Sequence, residues 1–151
     1  MRRIDKINKL KLAEILNRLT FFAKFSIEQR EVLLSAIDSF YFCKKGFPVQ
    51  EEGELSTQFY LILSGTLVIS KSGSDKVLGK VKAGEFIGEG SFIGIRAKSA
   101  TARAEEDVIV MAIERLELDK LPSTIREKFK DAIIEGMAKR IVYLSDIIQK
   151  A

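Results

Sequence analysis

Short apolar segments separated by glycine-bearing turns recur about every ten residues between Tyr41 and Ile113, and this rhythm restricts the fold more than any other feature of the chain. Pro48-Val49-Gln50 runs into a turn at Gly53. Phe59-Tyr60-Leu61-Ile62-Leu63 reads as a compact strand, Ser64-Gly65 as a turn, and Thr66-Leu67-Val68-Ile69 as the returning strand. Another turn at Ser72-Gly73-Ser74-Asp75 precedes a strand over Val77 to Val81, and Thr101 to Ala104 and Val108 to Ile113 complete the set. Strands this short and closely spaced predict an antiparallel roll of jelly-roll type, not alternating β-α units.

Both flanks carry helical periodicity. Ile4, Ile7, Leu10, Ile15 and Leu19 recur at three- to five-residue spacing with Lys and Arg between them, predicting helix from the first residues onward. After a break around Phe22 to Phe25, Ser26 and Gln29 form a capping-box pair that opens a second helix carrying Val32, Leu33, Ile37 and Phe40. Beyond Pro122, Thr124 and Glu127 offer another capping box. Ile125, Phe129, Ile133, Met137, Ile141, Leu144 and Ile148 then mark one face of a long final helix. Ile134, Val142 and Ile147 widen that face, so its early part is expected to pack in cis and its later part against a second copy of the chain. The chain reads as one α+β domain over residues 1–151. Its N-terminal helices cover about 1–40, the antiparallel β-roll about 41–115, and the C-terminal helices about 116–151.

Composition removes several classes of function. The 151 residues include no His and a single Cys, Cys43. Without imidazole there is no Ser or Cys triad of the usual kind, no imidazole general base and no His-ligated zinc or iron. No catalytic residue and no metal site is expected. Glu51-Glu52 and Glu105-Glu106-Asp107 sit beside turn signals and read as solvated charges. One Cys forms no internal disulfide, and Lys6, Lys9 and Lys11 break up what would have to be a secretion signal. No apolar run approaches the roughly 20 residues needed to span a bilayer, so no transmembrane segment is expected and a cytoplasmic location is. The net charge of +4 is local, because residues 1–30 alone hold eight Lys or Arg against three acids. That excess suits an acidic partner, an anionic membrane surface, nucleic acid, or simply a solvated helix face, and names none of them.

The stretch from Gly84 to Thr101 is rich in small residues, with Glu89 among them and Lys98 nine positions further on. Small residues let the backbone come close to a ligand, and free N–H groups at a short helix start attract anions. A carboxylate in such a loop suits a ribose hydroxyl, and a cation at its far end balances a phosphate. The stretch reads as a pocket for something both sugar-like and anionic.

Taken in order, Glu52-Gly53-Glu54, Phe59-Tyr60-Leu61-Ile62-Leu63-Ser64-Gly65, Gly84-Glu85-Phe86-Ile87-Gly88-Glu89 and Ser99-Ala100-Thr101 resemble the landmarks of the cyclic nucleotide-binding domain. That module occurs in the catabolite activator protein and in the regulatory subunits of cyclic-AMP-dependent kinase. The resemblance implies that Glu89 of the Gly88-Glu89 pair takes the ribose 2′-hydroxyl and that Gly90 and Ser91 turn N–H groups toward the cyclic phosphate. Lys98 stands where the family has a phosphate-pairing Arg. The implied ligand-binding set is Ile87, Gly88, Glu89, Gly90, Ser91, Lys98, Ser99, Ala100 and Thr101. Arg96, on the same face of an extended segment as Lys98, is a further candidate for the phosphate. Met137, with Ile133, is a candidate for the lid.

The chain departs from the family at two of these positions. Arg presents a planar fork to phosphate, whereas Lys98 offers a hydrated point charge, an exchange expected to weaken binding by about one to three kcal/mol. Gly90 stands where the family usually has a larger apolar residue. Ser99 occupies a position where guanine-reading members often carry a hydroxyl, so cyclic AMP and cyclic GMP both stay open as ligands. The expected function is non-enzymatic sensing of a cyclic nucleotide, relayed through the C-terminal helix, with no further cofactor. The alternative is a ligand-free interaction module of the same fold, acting through its terminal helices as a homodimer or on a partner protein. Transcription factors of the family carry a helix-turn-helix after the long helix; the chain stops at Ala151, so no DNA-binding domain is expected.

Overall fold

Asn8 decides where the first helix begins. Its side-chain oxygen accepts hydrogen bonds from the backbone N–H groups of Leu10 at 3.0 Å and Lys11 at 3.2 Å, and α1 covers Lys9–Arg18. The helical reading of the first residues is therefore corrected: Arg2–Arg3 is a short strand, β1, paired antiparallel with β2 (Phe40–Cys43). The computed structural model describes residues 1–74, 76–92, 94 and 96–150, with the backbone alone at Ser91, Phe92 and Arg96. A 3-10 turn over Thr20–Phe22 leads into the expected break, and Ser26 and Gln29 cap each other at the head of α2 (Ile27–Ala36). That helix ends before Ile37, and Phe40, read as helical, lies in β2 and pairs with Met111 instead.

The chain then lays down β3 (Pro48–Gln50), β4 (Leu55–Ser56), β5 (Gln58–Ser64), β6 (Thr66–Ser70), β7 (Val77–Lys82), β8 (Phe86–Ile87), β9 (Arg96–Ala97), β10 (Thr101–Ala104) and β11 (Val108–Glu114). These form antiparallel sheets in the orders β1-β2-β11-β5-β8, β3-β10-β6-β7 and β4-β9. The expected α+β roll is the observed fold. Of the expected turns, Ser72-Gly73-Ser74 is described and its Asp75 lies outside the described residues. The two-residue strands β4, β8 and β9 carry too short a pattern to stand out in the sequence.

Strand β5 explains why five apolar residues occur in a row. Alternate side chains point to opposite faces of a strand. Phe59, Leu61 and Leu63 join a core beneath the helices with Leu16, Phe22, Met111, Ile113 and Phe129. Tyr60 and Ile62 join a second core inside the roll with Leu67, Ala102, Val108 and Val110. Buried on both sides, the strand needs no polar face.

A short helix α3 (Arg115–Asp119) leads to α4 (Ser123–Lys150). The Pro122 carbonyl accepts from the Arg126 N–H at 2.9 Å, which puts Thr124 inside the first turn and not at the cap read from the sequence. Ile125, Phe129 and Ile133 are buried, the Phe129 ring meeting Phe21 edge-on with centroids 5.2 Å apart. One turn on, Gly136 lies so close to the Phe86 ring that any side chain there would collide with it. Ile141, Val142, Leu144, Ile147 and Ile148 are exposed. Among the described residues, no helix is long and apolar enough to cross a membrane.

Candidate functional site

Gly88 sets the tight turn of the candidate site. It follows β8 with a φ of +85°, and a Cβ at that position would lie 2.8 Å from the Gln58 carbonyl oxygen and 2.9 Å from Lys98 Nζ. Only glycine meets both conditions without strain. Strand β8 is anchored on β5 through Leu61 and Tyr60, and the chain leaves Gly88 directly into a 3-10 turn over Glu89–Phe92.

Lys98 closes the same loop from the other side. Its backbone is held at both ends, Lys98 N–H donating to the Glu54 carbonyl and Gly53 N–H to the Lys98 carbonyl, each at 2.8 Å. The side chain is only 7% exposed, and Nζ donates to the Gln58 carbonyl at 2.8 Å, directly under Gly88. Burial pushes its pKa below the ordinary lysine range, against the opposing pull of Glu54, Glu89 and Glu114. An ammonium desolvated to this degree gains from an added anion more than a surface lysine does.

Glu89 faces the final helix. Arg140 Nη1 donates to its Oε1 at 2.9 Å, and Arg140 Nη2 donates to the Phe86 carbonyl at 2.8 Å while the guanidinium sits over the Phe86 ring. The second carboxylate oxygen of Glu89 has no hydrogen-bond partner among the described residues. Beside this pair opens a cavity of about 680 Å³, with Gly88, Glu89 and Lys98 on one wall and Leu118, Ile133 and Met137 on the other. Arg115 and Lys130 add positive charge to its lining, against Glu89 and Asp119. The volume suits a small organic ligand and the charge an anionic one. Among the described residues, no cluster of carboxylates or thiols could hold a metal ion.

The profile of the cyclic nucleotide-binding domain matches residues 40–124, which span β2 to the start of α4 and include the whole Gly84–Thr101 cassette. The chain belongs to the cyclic nucleotide-binding domain family. It is similar to a cGMP-dependent protein kinase of Toxoplasma gondii, 24% identical over 144 residues that make up 95% of this chain and 14% of the kinase. A cAMP-dependent protein kinase regulatory subunit of Debaryomyces hansenii is 28% identical over 113 residues, 75% of this chain and 25% of that subunit. The chain thus spans a quarter or less of the length of these relatives. In fold it is similar to a cyclic nucleotide-binding domain from Methylobacillus flagellatus, with a TM-score of 0.79, 24% identity, and coverage of 94% of this chain and 83% of that one.

In this cyclic nucleotide-binding domain, Gly88, Glu89, Gly90, Lys98 and Ser99 line the cavity together, as does Met137 from the helix side. Ile87, Ala100 and Thr101 stand behind the wall: Ile87 and Ala100 are buried, and the Thr101 hydroxyl accepts from the Glu52 N–H at 3.0 Å. The side chains of Ser91 and Arg96 lie outside the described residues; the Arg96 backbone pairs with Ser56. Arg140, Arg115, Lys130 and Gln50 join the site without belonging to the contiguous motif. Arg140 carried a signal, because it falls three residues after Met137 and seven after Ile133, a cation on the buried face of the helix. Arg115 and Lys130 read like any surface cation until the fold turns them toward one cavity.

Proposed function

We propose that the domain is a non-enzymatic sensor that binds a purine cyclic nucleotide, cyclic AMP or cyclic GMP, in the cavity between the Gly88 loop and α4. The observation that carries this reading is the convergence of a carboxylate, Glu89, and a buried ammonium, Lys98, on either side of Gly88 in one cavity. Glu89 accepts the ribose 2′-hydroxyl while Arg140 holds the carboxylate in place. Lys98 balances the cyclic phosphate, assisted by the backbone N–H groups of Gly90 and Ser91. Leu118, Ile133 and Met137 cover the base. The matched kinase relatives support the ligand class, since cyclic nucleotides are named in both.

The relay follows from the same contacts. Helix α4 carries the cavity residues Ile133 and Met137 and also Arg140, so a ligand that favours one position of Glu89 or of the lid biases the helix. The distal half of α4 exposes Ile141, Leu144 and Ile148 at three- and four-residue steps, a self-complementary seam for a second copy of the chain. A ligand at a hundred times its dissociation constant stabilises a fold by about 2.7 kcal/mol. Melting curves in millimolar cyclic AMP or cyclic GMP are therefore expected to move up by several degrees. Curves that overlay the ligand-free one for both nucleotides favour the other reading, an interaction module with a degenerate pocket.

A further inference from the structure

Gln50 ends β3 in a position that buries it almost completely, at 7% exposure, beside the apolar core of the roll. Its Nε2 donates to the Ala100 carbonyl at 3.1 Å, which fixes the orientation of the amide, since the flipped form would set two oxygens against each other. The other end of the amide is different. Oε1 is closed off from solvent and has no hydrogen-bond partner among the described residues, while the residue itself lines the same cavity as Gly88, Glu89 and Lys98. A buried acceptor left unsatisfied is costly, and the bond to Ala100 uses only the amide nitrogen.

We propose that Gln50 is a specificity-determining residue whose Oε1 accepts a hydrogen bond from an N–H group on the base of the bound nucleotide. The chemistry narrows the partner. An amide oxygen repels phosphate oxygens, which are also acceptors, and the ribose 2′-hydroxyl is taken by Glu89. The donors that remain on a purine cyclic nucleotide are on the base: the exocyclic amine of adenine, or the ring N–H and exocyclic amine of guanine. Because Oε1 is closed off from solvent, the contact forms with a side-chain adjustment at the wall, of the kind common on binding. This assignment rests on the cyclic nucleotide reading and deepens it: the pocket selects bases by a donor it can satisfy, and discriminates against a base that lacks one.

The test is calorimetric titration of the wild type and Gln50→Leu with cyclic AMP, cyclic GMP and the cyclic monophosphate of purine riboside, whose base has no N–H. The wild type is expected to bind the purine riboside compound roughly tenfold or more weakly than the better of the other two. In Gln50→Leu that ratio falls to about twofold or less, with the affinity for the purine riboside compound unchanged or improved. Gln50→Met serves the same purpose if the Leu variant does not fold. Equal affinity of the wild type for all three compounds overturns the assignment and leaves the pocket reading standing. So does a ratio that survives both substitutions, or a uniform loss for all three ligands. Failure of all three compounds to bind overturns the cyclic nucleotide reading and this assignment with it.

Discussion

Arg140 reaches from the final helix to Glu89, its Nη1 donating to the carboxylate Oε1 at 2.9 Å while its Nη2 donates to the Phe86 carbonyl just upstream of Gly88. One side chain thus ties α4 to both ends of the Phe86–Glu89 segment. With side-chain exposures of 34% and 29%, the ion pair is partly screened and adds no more than about 1 kcal/mol to folding. Its larger effect is on position. Arg140→Leu is expected to lower cyclic nucleotide affinity roughly tenfold while lowering unfolding free energy by less than about 2 kcal/mol, read by calorimetry and urea unfolding. Unchanged affinity would remove Arg140 from the site.

With Lys98 at the nucleotide phosphate, as proposed, binding is expected to depend on pH in a direction that follows from burial. Its pKa in the folded protein lies below the ordinary 10.5, so the folded protein loses this proton before the unfolded chain does. Between the two pKa values the unfolded state holds more protons, and Lys98 contributes stability that increases as pH rises through that window. A bound phosphate acts the other way, favouring the ammonium, so affinity falls as pH climbs through the same window. Lys98→Arg stays charged throughout and binds with nearly constant affinity, about tenfold tighter at neutral pH. Parallel pH profiles for the two proteins would contradict the role given to Lys98.

Gly88→Ala combines a strained backbone with a Cβ pressed against the Gln58 carbonyl and Lys98 Nζ. The expected loss is about 1–3 kcal/mol of stability, seen as a lower melting temperature, together with loss of nucleotide binding as Lys98 is displaced. Gly46→Ala, at a φ of +89° with open space around its Cβ and away from the cavity lining, is the control: it strains the backbone without touching the cavity.

The exposed seam on α4 predicts self-association. Sedimentation at tens of micromolar is expected to give a dimer for the wild type and a monomer for Leu144→Glu, since the Leu144 side chain is exposed in the single chain. A monomeric wild type removes the second copy from the account.

The roll was legible because its signals are local. Gly53, Gly65 and Gly84 adopt the left-handed backbone that turn positions require, and β5 and β11 are apolar runs bounded by turns. Misreadings fell where tertiary context overrides pattern. Ile4 and Ile7 kept helical spacing, yet the Asn8 cap starts α1 later and Arg2–Arg3 pairs with β2 instead. Thr124 and Glu127 had the spacing of a capping box, but the bond to the Pro122 carbonyl starts the helix earlier. In the site, the contiguous cassette could be read from order alone. Gln50 could not, and Arg140 only as a cation in step with Ile133 and Met137, since they lie some forty to fifty residues from Glu89 along the chain and reach the cavity wall and Glu89, respectively, only once the roll and α4 are folded.

The most direct measurement is a calorimetric titration of the wild type and Glu89→Ala with cyclic AMP and with cyclic GMP. The account predicts saturable one-to-one binding of at least one nucleotide to the wild type, weakened about tenfold or more in Glu89→Ala by loss of the ribose hydrogen bond. Flat titrations of the wild type with both nucleotides at millimolar concentration, or equal affinities in the two proteins, would contradict it.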